Sequence, residues 1–331
     1  MRRDPIRVAV VGVGEFGRNH ARVWRDLEMA ELVGVVDANR DRARQTASEF
    51  GGSVFDGLND LAGRVDAASV AVPTAAHARV GCELLDMGID VLVEKPVAAT
   101  LEEADELIRA AESRKRILQI GHVERFNPAV VAAEKILTRP LFFEVHRLGV
   151  FTSRSVDIDV VYDVMIHDLD ILLAFLNSPV LDLRAVGIPV LTDKVDIAHV
   201  RLEFECGAVA NVTASRVSTE RVRKMRFFQE REYISLDFTR QDVLRVHVQP
   251  GQILTGEFPA GINFERLPTT PEEPLRAELT SFADAVAARR RPRVDGAAGR
   301  RALELADRVM AGILEHARRV QLSTFAQQET R

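Results

Sequence analysis

The chain has 331 residues, of which 47% are hydrophobic and 28% charged, and its net charge at pH 7 is −5. This length is more typical of two domains than of one, and the negative charge argues against general affinity for nucleic acid or anionic lipid. Two isolated cysteines, Cys82 and Cys206, are too few for a disulfide framework or a metal cluster, and no segment approaches the roughly 20 apolar residues of a membrane span. We therefore expect a cytoplasmic protein without a bound metal.

Residues 5 to about 122 alternate short apolar runs with amphipathic segments of helical period. Fully apolar strands separated by helices are typical of a parallel sheet that is covered on both faces. The pattern predicts an α/β domain with a doubly wound parallel sheet, a Rossmann fold, over residues 1–122. The predicted strands are Ile6–Val11, Leu32–Val36, Ala67–Val72, Val91–Val93 and Ile117–Ile120, and the predicted helices are Phe16–Leu27, Asp41–Phe50, Ala75–Met87 and Leu101–Ser113, the last opened by a capping box of Thr100 and Glu103.

From residue 123 onward, extended segments follow one another directly, which predicts a second, α+β domain with a mostly antiparallel sheet over 123–331. Residues 249–273 predict an irregular segment, the last dozen residues a frayed end, and the C-terminal helices are candidates to pack back on the first domain. The predicted helices are Pro128–Leu137, Val160–Leu176, Pro274–Ala288 and Gly296–Arg319, and the predicted strands are Phe142–Leu148, Leu183–Val190, Ala198–Phe204, Ala208–Ser215, Lys224–Gln229, Tyr233–Phe238 and Val243–Val248.

A glycine motif, Gly12-Val13-Gly14-Glu15-Phe16-Gly17, follows the first strand and opens a helix. In a dinucleotide site the first glycine allows the tight turn, the second lets the backbone approach a pyrophosphate, and the third lets the helix pack on the strand. Asp37 ends the second strand, where a carboxylate accepts the ribose hydroxyls and repels a 2′-phosphate. The motif thus predicts NAD binding, with NADP disfavoured; Arg40 is the residue that could soften this preference.

Two further strand ends add candidate cofactor contacts, because ligands bind at the carboxyl ends of the strands in open α/β sheets. Pro73, Thr74 and His77 follow the fourth apolar run, although His77 is equally well explained as a first-turn helix residue. Glu94-Lys95-Pro96 ends the next strand, and the proline restricts Lys95 to an extended conformation. A partly buried lysine beside an oxidised nicotinamide suits acid–base chemistry, with a surface lysine as the alternative.

The predicted helix Val160–Leu176 carries Asp163, His167 and Asp170 at offsets of four and seven residues, which would place all three on one helix face. Apolar residues surround them, and buried ionisable groups are costly unless paired or functional. A structural hydrogen-bond network is the alternative. We expect Asp168 to face solvent, and we expect no zinc, because no cysteine or second histidine lies nearby with ligand spacing.

Arginines are the remaining candidates for substrate contacts. Arg125 and Asn127 lie where the two predicted domains join and could bind a polar substrate; a linker ion pair and a helix cap before Pro128 are the alternatives. A basic cluster around a later strand suits a pyrophosphate, with a solvated face as the alternative. Its members are Arg216, Arg221, Arg223, Lys224 and Arg226.

The motifs together resemble those of the glucose–fructose oxidoreductase, inositol dehydrogenase and rhizopine-catabolism (Gfo/Idh/MocA) family of NAD(P)-dependent sugar dehydrogenases. The resemblance spans nearly the whole chain and is carried by the glycine motif, by Glu94-Lys95-Pro96 and by Asp163 with His167. It implies a Rossmann domain, a C-terminal domain whose large open sheet builds dimers or tetramers, and action of Lys95 and His167 at the reacting carbinol, with Asp163 beside them. Which of the two is the base stays open.

Within the family, the chain is most similar to the bacterial UDP-N-acetylglucosamine 3-dehydrogenases, which make a keto sugar for an aminotransferase of lipid A assembly. Residues 121–128, 163–171, 189–196 and 214–218 carry this likeness. It implies a UDP-sugar substrate. The alternatives are a dehydrogenase of the same family acting on inositol, a free sugar or another nucleotide sugar, and a non-catalytic NAD-binding regulator, which would be expected to lose Lys95 or His167.

Overall fold

The structure is a computed structural model that describes residues 4–152, 156–248 and 262–322. These residues divide into two compact units. The first takes the described residues among 1–126 and 273–303, and the second takes those among 127–272 and 304–331. Each unit is described by itself below. No helix in the described ranges is long and apolar enough to cross a membrane.

The bounds of the helices and strands agree closely with the sequence patterns. The helices are α1 (Glu15–Arg25), α2 (Arg40–Phe50), α3 (His77–Asp86), α4 (Leu101–Arg114), α5 (Pro128–Glu134), α6 (Ile166–Leu176), α7 (Pro274–Ala288) and α8 (Gly296–Arg319). The strands are β1 (Ile6–Val11), β2 (Ala30–Val36), β3 (Ser53–Phe55), β4 (Ala67–Val70), β5 (Asp90–Glu94), β6 (Leu118–Gly121), β7 (Pro140–Leu148), β8 (Val180–Ile188), β9 (Ile197–Phe204), β10 (Val209–Ser215), β11 (Val222–Gln229), β12 (Glu232–Asp237), β13 (Asp242–Val248) and β14 (Ile262–Arg266).

The first unit contains a six-stranded sheet in the order β3-β2-β1-β4-β5-β6, and all of its pairs are parallel. The predicted doubly wound parallel sheet is therefore confirmed. All four residues of β4 are buried, because helices cover both faces of such a sheet. The sequence did not predict β3, which has three residues and no apolar run.

Trp24, the only tryptophan of the chain, lies at the centre of this unit's core and is fully buried. Its indole N–H donates to Ser69 Oγ at 2.9 Å, and its ring meets that of Phe282 edge-on with centroids 6.3 Å apart. Burial of two large aromatic side chains contributes about 2–3 kcal/mol each. Phe282 lies on α7, so that helix completes the core around α1.

The second unit contains an eight-stranded sheet in the order β14-β13-β12-β11-β7-β10-β9-β8. Among the described strands of this sheet only β7 and β10 pair in parallel, so the predicted mostly antiparallel sheet is confirmed. Burial alternates along β9, as in a sheet with one covered face.

The structure corrects three details of the sequence analysis. Part of the segment 249–273, predicted to be irregular, forms β14, which pairs with β13. Residues 249–261 of that segment lie outside the described residues, and so do residues 323–331 at the predicted frayed end. Thr100 caps α4 by accepting the Glu103 N–H at 3.2 Å, but the Glu103 carboxylate accepts from Ala99 N–H rather than from Thr100. The predicted helix Val160–Leu176 begins with a π-turn, Val161–Met165, that leads into α6.

Candidate active site

The glycine turn between β1 and α1 has an opening at only one of its three glycines. Gly12 has a φ of +83°, and a Cβ there would lie 2.7 Å from the Ala71 carbonyl oxygen. At Gly17 a Cβ would lie 1.8 Å from the Gly12 carbonyl oxygen, so only glycine lets α1 approach the turn. Around Gly14, by contrast, a Cβ would meet nothing within 4 Å. The space at Gly14, in front of the helix N-terminus, thus fits a phosphate group.

Glu15 and Phe16, the first two residues of α1, are both exposed beside this opening, and the Phe16 ring is 51% exposed. Their own backbone N–H groups belong to the first turn of the helix, where donors lack intrahelical acceptors. They therefore stay candidates for contact with the cofactor.

Asp37 lies just after β2 and braces the glycine turn. One carboxylate oxygen accepts the Val13 N–H at 2.8 Å, and the other accepts the Asn39 N–H at 2.7 Å. Its side chain is only 8% exposed, and a guanidinium nitrogen of Arg42 lies 3.8 Å away. Arg40 instead pairs with Asp56 at 2.6 Å, so the cation beside Asp37 is Arg42 rather than the Arg40 named from the sequence.

The next candidate residues follow β4. Pro73 is exposed and Thr74 half-buried, and both lie at a 3-10 turn that precedes α3. His77, in contrast, is only 1% exposed and faces inward. Its Nδ1 lies 2.8 Å from the Pro96 carbonyl oxygen and its Nε2 lies 2.9 Å from the Val72 carbonyl oxygen.

His77 thus lies within hydrogen-bond distance of two main-chain segments. Carbonyl oxygens only accept, so a neutral imidazole satisfies one of them at a time and an imidazolium satisfies both. Burial lowers the pKa of His77 below its ordinary value, although the bonds to Pro96 and Val72 and the charges of Glu94 and Glu103 oppose this. Direct contact of His77 with the cofactor stays a prediction.

Glu94, Lys95 and Pro96 follow one another at the end of β5, and the Lys95–Pro96 peptide bond is cis. The Glu94 carboxylate lies 2.9 Å from His20 Nε2. Burial raises the pKa of Glu94, but the hydrogen bond with His20 and the nearby positive charges outweigh it, and the pKa is lower than its ordinary value. Glu94 is therefore a carboxylate at neutral pH, held next to the candidate catalytic lysine.

His20 is a residue of the site that was not predicted from the sequence. It lies on α1, three residues after Gly17, and is 1% exposed. The signal was present, since Gly17, His20, Ala21 and Trp24 recur at the spacing of one buried helix face. A histidine on such a face needs a polar partner.

In the second unit, the π-turn carries Asp163, and α6 carries His167 and Asp170. The N–H at Ile166 bonds to the Val161 carbonyl, five residues back, so the offset of Asp163 from His167 does not correspond to one α-helical turn. Asp163 and His167 are half-buried, whereas Asp170 is 2% exposed. π-turns inside helices are frequent at functional sites.

The expectation that Asp168 faces solvent is wrong. Asp168 is fully buried and bonds to Arg147 through both carboxylate oxygens, at 2.8 and 2.7 Å. The Arg147 guanidinium also lies over the Phe238 ring, 4.8 Å from its centroid. Arg147 stands on the covered face of β7 in alternation with Phe143 and Val145, which explains why a carboxylate is needed there.

Asn127 caps α5, as the alternative interpretation held. Its Oδ1 accepts the Ala129 N–H at 3.0 Å, and its Nδ2 donates to the Phe238 carbonyl at 3.0 Å. Arg125 is half-buried in the 3-10 turn Val123–Phe126 of the first unit. Contact of either residue with substrate stays a prediction.

The basic cluster of the sequence analysis does not form one uniform surface. Arg216 is 8% exposed; its Nε lies 3.7 Å from Asp196, and it donates to the Ile158 carbonyl. A solvated face therefore does not describe Arg216, and its contact with substrate stays a prediction. Lys224 and Arg226 pair with Asp237 and Glu144 at 3.7 Å each, whereas Arg221 and Arg223 are exposed.

Asp196, the partner of Arg216, organises the segment before β9. Its carboxylate accepts the N–H groups of Val190, Leu191 and Thr192 at 2.7–2.9 Å. Burial raises the pKa of Asp196, but these bonds outweigh it and hold the pKa lower than its ordinary value. In the described ranges no cluster of three or more His, Cys, Asp or Glu residues could hold a metal ion.

Comparison with known proteins places these features in a family. Residues 6–122 match the family model described as oxidoreductase family, NAD-binding Rossmann fold, and residues 142–235 match the GFO/IDH/MocA C-terminal domain. A UDP-N-acetylglucosamine 3-dehydrogenase of Acidithiobacillus ferrooxidans is 38% identical over 309 residues, which are 93% of this chain and 97% of that protein. Its crystal structure superposes with a TM-score of 0.86 at 37% identity over the same shares of the two chains.

More distant relatives are also found. The scyllo-inositol 2-dehydrogenase (NAD(+)) of Bacillus subtilis (strain 168) is 29% identical over 236 residues, which are 64% of this chain and 68% of that protein. A putative myo-inositol dehydrogenase from Sinorhizobium meliloti 1021 shares the fold at 21% identity, with a TM-score of 0.78 over 94% of this chain and 98% of that one. The chain belongs to the Gfo/Idh/MocA family of NAD-binding oxidoreductases.

Proposed function

We propose that the protein oxidises the 3-hydroxyl of UDP-N-acetylglucosamine to a ketone, with NAD⁺ as the acceptor. The observation that carries the choice of substrate is the 38% identity to a UDP-N-acetylglucosamine 3-dehydrogenase over 93% of the chain. The product would be a 3-keto sugar, which an aminotransferase consumes in the lipid A assembly that we propose as its context.

The first unit offers residues that fit a dinucleotide. The open space at Gly14 would take the pyrophosphate, and Asp37 would accept the ribose hydroxyls of the adenosine. A carboxylate at this place favours NAD over NADP, and Arg42 is the cation close enough to moderate that preference. The proposed cofactor-binding set also includes Gly12, Gly17, Glu15, Phe16, Arg40, Pro73, Thr74, His77, Glu94 and Lys95.

NAD⁺, held by these residues of the first unit, would supply the acceptor for the hydride that leaves the carbinol carbon. His167 accepts the hydroxyl proton, Asp163 orients the imidazole, and Lys95 polarises the carbinol oxygen. Arg125, Asn127, Asp170 and Arg216 are the residues that we propose for binding the substrate.

The test of substrate is to mix purified protein with NAD⁺, UDP-N-acetylglucosamine and hydroxylamine, and to follow the absorbance of NADH. Hydroxylamine traps the ketone as an oxime, and deuterium at C3 of the sugar should slow the reaction if that C–H bond breaks. Free N-acetylglucosamine, scyllo-inositol and other UDP-sugars form the comparison panel. Turnover with an inositol or a free sugar, but not with the nucleotide sugar, would overturn the proposed substrate.

The test of the site uses Lys95→Ala and His167→Ala, with Lys135→Ala, an exposed lysine after α5, as the matched control. We expect each site variant to lose roughly 100-fold or more in kcat with NAD binding intact. If His167 is the base, its removal also abolishes the fall of kcat at low pH. Near-normal turnover in both site variants would reject this assignment.

We further propose a homodimer or homotetramer in a reducing compartment, the cytoplasm. Large apolar side chains lie exposed on strands of the second unit's sheet, with Leu181 and Phe264 each 66% exposed, and such residues favour burial against another surface. Cys82 and Cys206 are free thiols. Sedimentation velocity of the wild type and of a Leu181→Lys variant would test the assembly; a monomeric wild type would contradict it.

A further inference from the structure

The backbone around Lys95 is held from both sides by buried histidines. Glu94, the residue before it, bonds to His20, and Pro96, the residue after it, bonds to His77. Both histidines are 1% exposed, and all of these residues belong to the first unit.

On the N-terminal side of Lys95, the Glu94 carboxylate has little freedom. His20 Nε2 lies 2.9 Å from Glu94 Oε1, and Glu94 Oε2 accepts the backbone N–H of Lys95 at 3.3 Å. Gly121 packs against the same carboxylate, since a Cβ there would lie 2.9 Å from Oε1. His20 is thus connected to the main-chain N–H of Lys95 through the Glu94 carboxylate.

On the C-terminal side, the Pro96 carbonyl lies 2.8 Å from His77 Nδ1, while Nε2 of the same ring lies 2.9 Å from the Val72 carbonyl. Val72 immediately precedes Pro73 and Thr74. His77 therefore lies between the segment that carries Lys95 and the segment that follows β4, and the tautomer with its proton on Nδ1 donates to the Pro96 carbonyl.

We propose that His20 and His77 are positioning residues that fix the backbone of Lys95 for its role in the oxidation. The inference rests on the proposed function of Lys95. A loss of positioning by about 1 Å is enough to reduce turnover by up to roughly 100-fold without any change in the reacting groups. A merely architectural role would affect only stability.

The geometry allows a test by crossed substitution. The amide nitrogen of Asn can occupy the place of histidine Nδ1, and that of Gln the place of Nε2. At position 77 the bond to Pro96 uses Nδ1, so Asn should preserve it and Gln should lose it. At position 20 the bond to Glu94 uses Nε2, so Gln should preserve it and Asn should lose it.

Two readouts are needed: amide hydrogen exchange in a peptide spanning 91–99, and steady-state kinetics. Loss of one hydrogen bond raises the population of the locally open state, and therefore the rate of amide exchange, by up to about tenfold. We expect H77Q and H20N to raise exchange in this peptide and to lower kcat, each by about tenfold, with KM for NAD⁺ within about twofold. H77N and H20Q should keep amide exchange in this peptide and kcat close to their wild-type values.

Equal effects of Asn and Gln at a position, or unchanged exchange and kcat in H77Q and H20N, would overturn the proposal. If neither the Asn nor the Gln variant at a position folds, as judged by thermal unfolding, the histidine there has an architectural role, and the proposal is overturned for that position. If the wild type does not oxidise the nucleotide sugar, the proposed substrate fails, but hydrogen exchange still decides on positioning because it requires no substrate.

Discussion

Alanine at Gly17 should destabilise the protein, whereas alanine at Gly14 should leave its stability nearly unchanged, although both should abolish tight binding of the cofactor. At Gly17 the new Cβ would lie 1.8 Å from the Gly12 carbonyl oxygen. At Gly14 it would meet nothing within 4 Å. One substitution therefore disrupts the protein itself, and the other fills space that the protein leaves open.

The magnitudes follow from these distances. Ordinary van der Waals contact begins at 3.4 Å, so α1 must move away from the turn by more than 1 Å in Gly17→Ala. Overpacking of this kind costs about 1–3 kcal/mol, and we expect the upper end because the atom it strikes is backbone. Gly14 has φ −61° and ψ −164°, which alanine adopts readily. Lower entropy of the unfolded chain and the weaker N-cap preference of alanine nearly cancel, so stability should change by less than about 0.5 kcal/mol.

Trp24 supplies the assay, since it is the only tryptophan and lies in α1. Its fluorescence during urea unfolding reports the stability of the first unit, and energy transfer to NADH reports binding. We expect Gly17→Ala to lose about 3 kcal/mol of unfolding free energy. We expect Gly14→Ala to unfold like the wild type but to bind NADH roughly 100-fold more weakly, a loss of about 2.7 kcal/mol.

Two results would refute this reasoning. If Gly14→Ala binds NADH as tightly as the wild type, the open space at Gly14 is not where the phosphates lie. If Gly17→Ala is as stable as the wild type, the contact between α1 and the turn is not rigid, and the glycine is not required by packing.

Three further predictions concern charged groups. Asp168→Asn should cost about 3–5 kcal/mol in urea unfolding, because it removes the carboxylate that pairs with the buried Arg147 guanidinium. The apolar pair Asp168→Leu with Arg147→Met should recover much of this loss, and a single variant as stable as the wild type would contradict the prediction. The pKa of Asp196 is lowered on folding, so its contribution to stability is full above about pH 4 and is lost as the pH falls through the folded value. The advantage of wild type over Asp196→Asn in unfolding free energy should therefore shrink as the pH is lowered below about 4, and a constant difference would argue against it. Arg42→Ala should lower the kcat/KM ratio of NADP⁺ to NAD⁺, since Arg42 is the cation beside Asp37, and an unchanged ratio would remove Arg42 from cofactor selection.

Most elements could be predicted from the sequence because the sheet of the first unit is buried on both faces, which leaves apolar runs such as Val8 to Val11 in β1. Prediction from the sequence failed for elements that form only because of the strands beside them. The three-residue β3 and the half-exposed β14 carry no apolar run of their own and are strands because β2 and β13 lie beside them.

Some residues of the candidate site could likewise be predicted from the sequence alone, and others could not. Glycine roles at Gly12 and Gly17 could be predicted, because backbone conformation and close packing limit those positions to one residue type. Partners distant in sequence could not, and so His20 was missed and Asp168 was assigned to solvent. Both depend on contacts formed only after strands and helices far apart in the chain have packed.

The position of α7 has a consequence for how the protein is made. The core around Trp24 includes Phe282, so the first unit needs residues that are synthesised only after the strands of the second unit. Until residues beyond 288 emerge, the growing chain exposes the apolar surface of α1 that α7 later covers. Nascent chains are therefore exposed to aggregation and to chaperones while the second unit's sheet is being synthesised, and a premature stop before α7 would leave the core of the first unit incomplete.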